Sequence, residues 1–473
     1  MTSDPTDDGT SFGTRRSFLA LGIAGLASVA GCSSSGDTES PTPDDPAGET
    51  DESTSTGTVS TAVGRSLEEW PGYDPDWAAP TSAPAESDLE VEVLVENLEI
   101  PWDMSFAPDG TLFLTERVGR VVEFADGEIQ RVASPADAID AGSLEPGADE
   151  QPWYVDGGEG GTLGIAVHPS FPEPAEVFVY YTTAVADGVV NRVDAFDVRS
   201  NDPATPVRTV VDDIPADNYH NGGRITFGPQ NYLWITCGDA LEGGRAQDLN
   251  SLGGKFLRVT PEGDPAPDNP DLGADADPRI FSYGHRNPQG VVWLPDGTAV
   301  GTEHGPNGRD EINRLVAGEN YGWDAEGERI RQREEYPGSG VHKPLYNTGG
   351  ESLAPSGSVF YTGSAVPSLR NRLLTGGLIS QSLVVTTLTP PGGQLPPAGG
   401  AYDQVGGADW SDDAFRATVH RLFEDELGRI RHVEQGPDGN VYVCTSNRDG
   451  RPAEDSKFPT KRDDVLARIR PAD

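Results

Sequence analysis

One short pattern recurs six times between Phe106 and Asn447 and limits the fold more than any other property of the chain. A small or aromatic residue and a proline are followed by two polar or turn residues, then by an apolar strand of five or six residues. It reads FAPDGTLFLTER, VHPSFPEPAEVFVYYT, FGPQNYLWITCGD, WLPDGTAVGTEHG, AVPSLRNRLLTGGL and QGPDGNVYVCTSN. The prolines, Pro108, Pro169, Pro229, Pro295, Pro367 and Pro437, are spaced by 61, 60, 66, 72 and 70 residues. Each unit is long enough for a four-stranded antiparallel sheet with its loops, so six units predict a six-bladed β-propeller. From Leu89 onward the short alternating apolar runs, broken by Gly, Pro and Asp, leave few helical patterns and make the class all-β. A β-sandwich would show no such period. LEVEVLVENL near the start and DVLARIRP at the end are lone strands, predicted to complete one blade together. Loops at one end of a propeller channel converge, so a site should be built from equivalent loops of different blades.

Charge narrows the partners. Among 473 residues, 34 Lys+Arg face 77 Asp+Glu, a formal net charge of -43. A polyanionic surface argues against nucleic acid as a partner. Only four of the cations are lysine; this balance resembles the surface of proteins working in very high salt and suggests a halophilic source. Any anion site must therefore collect its cations locally. The segment TRRSFLALGIAGLASVAGC (14–32) carries the twin arginines Arg15 and Arg16, a short apolar run and a Val-Ala-Gly-Cys end. It resembles a Tat signal ending in a lipobox, too short and glycine-rich for a comfortable membrane span. The expectation is cleavage before Cys32 and a lipid anchor there, on the outer face of the cell membrane. Residues 33–88, rich in Ser, Thr, Pro, Asp and Gly, read as a disordered tether, with the propeller over 89–473. Cys237 and Cys444 sit in apolar strand patterns and are expected to be separate buried thiols rather than a disulfide.

Several loops carry charge, glycine and amides at strand ends: GGEGGTLG (157–164), HNGGR (220–224), SYGHRNPQG (282–290), EHGPNGRDEIN (303–313), NYGWD (320–324), LAPSG (353–357) and GRIRHVEQGPDG (428–439). Arg286, Arg429 and Arg431 are the candidate cations for an anionic ligand, and Arg429 and Arg431, two apart on a predicted strand, share one face. The ordered series of these loops resembles the soluble quinoprotein glucose dehydrogenase family, the PQQ-dependent aldose and sorbosone-type dehydrogenases. Alone each motif is weak, but seven in order, with SYGHRNPQG intact, cover residues 91–470.

The resemblance implies pyrroloquinoline quinone (PQQ) beside a Ca²⁺ ion over the channel mouth, and oxidation of a sugar at its anomeric carbon to a lactone, with an electron acceptor that the sequence does not name. It makes His220 the general base and Asp239 the carboxylate orienting it, with Gly222 and Gly223 letting the backbone pass close to the cofactor and Arg224 structural. It assigns Arg286, Asn287, Arg429, Arg431, Glu159, Ser352 and Thr362 to cofactor binding. The carbonyls of Gly305 and Pro306 would ligate the catalytic Ca²⁺, and Glu311 with the Tyr321 carbonyl would hold a second, structural one. Three positions depart from the pattern. Glu159 stands where many relatives have Gln, which can donate a hydrogen bond as ionised Glu cannot. Thr362 falls where glucose-oxidising members have a cofactor-binding Lys, and Tyr219 replaces an Asp before the base. Two other readings stay open: a Ca²⁺-dependent propeller lactonase, and a non-catalytic cell-surface propeller that binds sugar or protein.

Overall fold

The computed structural model describes residues 61–139, 158–186, 188–324, 330–401, 403–407, 409–449 and 456–472. The expected Tat signal, Cys32 and residues 33–60 of the expected tether lie outside these. Six antiparallel sheets are present, five of four strands and one of five. Their first strands are Pro101–Phe106, Thr162–Val167, Ile225–Phe227, Pro288–Trp293, Pro355–Tyr361 and Ile430–Gln435. These strands and their immediate neighbours make the contacts between successive sheets, and the sixth sheet returns to the first. The result is the six-bladed β-propeller the repeat predicts. Each repeat proline follows a first strand and opens the turn to the second; in the fifth blade that turn is longer and Pro367 starts a 3₁₀ helix, Pro367–Leu369.

The ends meet as expected. Leu89–Val95 pairs antiparallel with Leu466–Pro471, Leu89 opposite Pro471 and Val91 opposite Ile469. Leu466–Pro471 in turn pairs with Val441–Thr445. The sixth blade is thus made from both ends of the folded unit.

The core lies between blades, which is why many strands read as continuous apolar runs. In the second blade, Val177 and Val179 pack with Phe113 toward the first blade, while Phe178 and Tyr180 pack with Ile235 and Leu257 toward the third. Successive side chains point to opposite faces of a sheet, and here both faces are covered. Cys237 and Cys444 are free and buried in different blades, as expected.

The tether boundary at residue 89 is corrected. Residues 61–88 lie along the propeller: Gly64 N donates to Gln230 O (2.8 Å) and Asp74 N to Pro295 O (2.9 Å). Trp77 meets Phe360 edge-on, 5.3 Å between centroids, and Phe415 at 6.3 Å. Arg372 donates to Ser82 O (2.6 Å), and Phe423 N donates to the Glu86 carboxylate (2.6 Å). Trp70, on the wall of a cleft with Phe106 and Phe227, and Trp77 are aromatic anchors hidden in a polar composition. The turns they cross end first strands, so the strap runs over the face opposite the channel mouth.

Candidate active site

A cavity of about 300 Å³ opens where the first strands begin, and its wall includes Trp102, Glu159, Gln289, His304, Arg429 and Arg431. His220 stands at its rim between two wall residues, Tyr219 and Asn221. Its backbone takes a left-handed φ of 61°, and its Nδ1 lies 2.7 Å from Asp239 Oδ1. Asp239 is buried and fully engaged: Oδ1 also accepts from Leu241 N (3.0 Å), and Oδ2 accepts from Trp323 Nε1 (2.6 Å). A carboxylate fixed by two other donors places a proton on His220 Nδ1 and leaves the Nε2 lone pair outward. With the His220 side chain 15% exposed, that nitrogen is within reach of a ligand at the rim. Gly238 makes the approach possible, since a Cβ there would sit 1.9 Å from His220 O.

Of the two glycines of HNGGR, Gly222 lies on the cavity wall, and both are also demanded by packing. A Cβ on Gly222 would lie 2.4 Å from Thr236 O, and one on Gly223 would lie 2.9 Å from Leu163 Cδ1. Their smallness serves packing against the second strand of the blade and against the preceding blade. Arg224 is structural as expected: it pairs with buried Asp103, donates to Gln289 O (3.1 Å) and stacks 4.3 Å over Trp102.

Of the predicted cations, Arg429 and Arg431 both reach the wall. Arg429 donates only to carbonyls, Ser446 O and Leu378 O, both at 3.3 Å, and no carboxylate pairs with it among the described residues. In a chain of charge -43, a half-buried guanidinium that touches no carboxylate directly and feels Asp449 and Glu159 only at longer range fits an anionic ligand. Arg431 is partly neutralised by Asp449 at 2.5 Å, which Arg117 also grips. Arg117 further holds the carbonyls of Gly158 and Gly160 and so fixes the loop that presents Glu159. Arg286 does not line the cavity; it donates to His304 O (3.2 Å) and lies 5.4 Å over Trp323. Asn287 is also framework, its Oδ1 accepting from Gly222 N (3.0 Å) and Gln289 Nε2 (3.2 Å).

Glu159 lies on the wall, its carboxylate accepting from His220 N at 3.2 Å. The turn at Gly305 and Pro306 is held by buried Asp310, which accepts from Gly305 N (2.9 Å) and from Leu353 N and Ala354 N (2.7 and 2.8 Å). Ser352 Oγ also points at Asp310 (3.3 Å), so Ser352 supports the turn rather than facing the cavity. The Gly305 carbonyl meets no donor among the described residues, while Pro306 O accepts from Arg309 (3.0 Å). Gly305 therefore fits a Ca²⁺ ligand better than Pro306. No three carboxylate, imidazole or thiol groups converge on a metal-sized site among the described residues, so an ion at this mouth would depend on carbonyls.

Two expectations fail. Thr362 follows the far end of Pro355–Tyr361, beside Gln435, whose Oε1 accepts from Thr362 N (2.9 Å). The seven-residue strand separates it from the cavity by about 20 Å, and the wall there is Leu378 and Ile379. The strand that starts at APSG runs away from the mouth, so its far end cannot reach the cavity. The second ion at Glu311 and Tyr321 also fails, because Arg331 Nη1 already donates to Tyr321 O (2.7 Å) and lies 3.7 Å from Glu311. Residues the sequence reading missed are Trp102, Gln289, His304, Trp323, Arg117 and Asp449. Gln289, His304 and Trp323 lay inside quoted motifs and Arg117 closes the first repeat unit, whereas Asp449 carried no signal. His304 Nε2 is buried without a partner, and burial with Arg286 and Arg431 nearby pushes its pKa down to about 3.

Comparison with known proteins bears on this arrangement. The family model described as Glucose / Sorbosone dehydrogenase matches residues 98–454. Aldose sugar dehydrogenase YliI of Escherichia coli K12 is 30% identical over 390 residues, covering 79% of this chain and 93% of its own. The PQQ-bound aldose sugar dehydrogenase of Streptomyces coelicolor superposes with a TM-score of 0.61 at 28% identity, over 82% of this chain and all of that one. The apo-form of the soluble E. coli enzyme gives 0.62 at 27% identity, over 81% and 100%. The match runs from ahead of the first blade to beyond Val441–Thr445, and the chain belongs to the Glucose / Sorbosone dehydrogenase family of sugar-oxidising quinoproteins.

Proposed function

We propose that the protein oxidises an aldose at its anomeric carbon to the lactone, using PQQ in the cavity and Ca²⁺ at the Gly305–Pro306 turn, and passes the electrons to an external acceptor. The observation that carries this reading is the His220–Asp239 pair at the rim of a cavity whose wall holds Arg429 without a carboxylate partner. A lactonase has no need of that cation. PQQ, when bound, would supply an ortho-quinone able to accept a hydride from carbon. The remaining work falls to the chain. Arg429 and, less strongly, Arg431 bind carboxylates, and the Trp102 ring offers a flat apolar surface. His220 Nε2 takes the hydroxyl proton from the sugar as the C–H bond breaks, so the carbon leaves as a carbonyl. Asp239 steadies the imidazolium until its proton passes to solvent at the exposed rim.

We also propose export by the Tat route and attachment through a lipid on Cys32, the twin arginines and lipobox being the support; Cys32→Ser should then release the protein from the membrane fraction. Activity is tested in high salt by adding PQQ and Ca²⁺ and following dye reduction with a panel of aldoses. Turnover with concurrent reduced-quinone absorbance is expected. No turnover with any aldose rejects the proposal, and PQQ-independent hydrolysis of a sugar lactone would replace it with the lactonase.

A further inference from the structure

Beneath the mouth, between the fourth blade and the loop after Trp323, two carboxylates of one blade are buried within reach of the same cation. Glu303 and Glu311 end and begin adjacent paired strands, Ala299–Glu303 and Glu311–Arg314, where they stand opposite one another. Both are about 2% exposed or less, and so is Arg331. The guanidinium donates to Glu303 Oε1 (2.7 Å), Tyr321 O (2.7 Å), Ile330 O (3.0 Å) and Gly284 O (3.4 Å), with Glu311 Oε2 at 3.7 Å. Each carboxylate keeps further donors. Glu303 accepts from His285 Nδ1 (2.9 Å) and Arg286 N; Glu311 accepts from Tyr336 OH, Asn313 Nδ2 (3.2 Å) and Asn347 Nδ2 (3.2 Å). Two carboxylates and three carbonyls thus surround the two terminal nitrogens of one guanidinium, Tyr321 O, Ile330 O and Glu311 about Nη1 and Gly284 O and Glu303 about Nη2. Oxygens of these kinds are what a hard divalent cation takes, with a water or two to reach six or more ligands.

We propose that Arg331 is a resident replacement for a structural metal ion: its guanidinium neutralises and holds an oxygen cage that, without it, binds Ca²⁺. Charge decides the case. Two buried carboxylates beside each other and without a cation would repel and be poorly solvated, so the fold requires a positive group there. A guanidinium supplies it covalently and cannot be chelated away. The cage joins the turn after Glu303 to the loop carrying Trp323, and Trp323 in turn holds Asp239. The permanent cation thus fixes the orienter of the rim histidine independently of free calcium. The inference rests on this packing and does not depend on the proposed reaction.

The test compares the intact protein with Arg331→Ala. Bound Ca²⁺ per chain is measured by elemental analysis after gel filtration, and thermal unfolding is followed with and without Ca²⁺. The variant is expected to bind one more ion than the unaltered protein, to unfold at a lower temperature without Ca²⁺, and to recover most of the loss when Ca²⁺ is added. Terbium should show emission sensitised by Trp323, whose ring lies 5.4 Å from the Arg331 guanidinium carbon, in the variant beyond any signal of the unaltered chain. Equal ion counts in the two proteins, or a variant whose unfolding ignores Ca²⁺, would overturn the proposal. If the variant does not fold without metal, refolding yield replaces the melting curve: a yield that rises with Ca²⁺ supports the cage, and equal yields reject it.

Discussion

Replacing Asp239 by Asn tests the rim pair directly, because both carboxylate oxygens are committed. Oδ1 serves His220 Nδ1 and Leu241 N, and Oδ2 serves Trp323 Nε1. An amide offers one oxygen and one NH₂. If the oxygen stays toward His220, the NH₂ meets the Trp323 N–H and two donors face each other in a buried site. If the amide flips, the NH₂ faces Leu241 N–H and drives the proton of His220 to Nε2, so the base loses its lone pair at the rim. Either way a buried donor is left unsatisfied, at about 1–3 kcal/mol of stability. Turnover should fall by about 10²–10⁴, the range for loss of a positioned base or its correct tautomer. Dye-coupled kinetics with PQQ and Ca²⁺ would show the fall in kcat, with PQQ affinity nearly unchanged because Asp239 does not line the cavity. Trp323→Phe removes the opposing N–H, so Asp239→Asn combined with Trp323→Phe should be more stable than the sum of the single losses implies. A folded Asp239→Asn protein turning over within about fivefold of normal would refute the assignment of His220 as an oriented base.

Other outcomes follow from the same geometry. Arg429→Gln should weaken PQQ binding by about 10- to 100-fold, the loss of a charge-assisted hydrogen bond, in a titration followed by absorbance, whereas Thr362→Lys should leave it unchanged because Thr362 lies at the far end of its strand. A chain starting at residue 89, or one carrying Trp77→Ala, should unfold earlier than one retaining residues 61–88; for the substitution about 1–3 kcal/mol is expected from a half-buried indole, read by chemical denaturation. Burial, with Asp103 nearby, raises the Glu434 pKa to about 8, so the folded state holds a proton that the unfolded chain has lost, and this contribution to stability drains away as pH rises toward 8. Glu434→Gln should therefore gain stability relative to the unaltered protein between pH 5 and about 8, although the side chain, 29% exposed, will mute the effect; a constant difference across that range would contradict the shift.

How far the chain could be read before folding depends on the distance over which each feature is encoded. The blade repeat was legible because Pro at the first turn and an apolar second strand recur locally, and the paired end strands were legible because each lacks a partner nearby. His220 and Asp239 were legible because one hairpin, Ile225–Phe227 with Leu233–Cys237, joins them and brings its two ends together. Features set by meetings between blades were not. Arg117 meets Asp449 across 332 residues, and nothing local to the end of the first repeat or to Asp449 marks the pairing. The site of Thr362 was not legible because a motif match gives position along Pro355–Tyr361 but not which end of that strand faces the mouth. The strap over 61–88 escaped because a few aromatic anchors suffice to hold a segment whose average composition is that of a linker.

The seam where the two ends of the folded unit pair has a consequence for the order of assembly. Arg429, Arg431 and Asp449 all belong to the blade that this seam completes, so the wall that meets an anionic cofactor rests on a sheet whose other edge is closed by the final strand pairing with residues 89–95. Glu92 and Arg468 bind each other at 2.7 Å across 376 residues of chain, a pairing that must come late because the loop it closes is the whole ring. Occupancy of the cavity and closure of the ring are then linked equilibria: a cofactor present at a hundred times its dissociation constant would hold the ring shut by about 2.7 kcal/mol. The ligand would serve as a clasp on the one place where the ring can unzip from its ends.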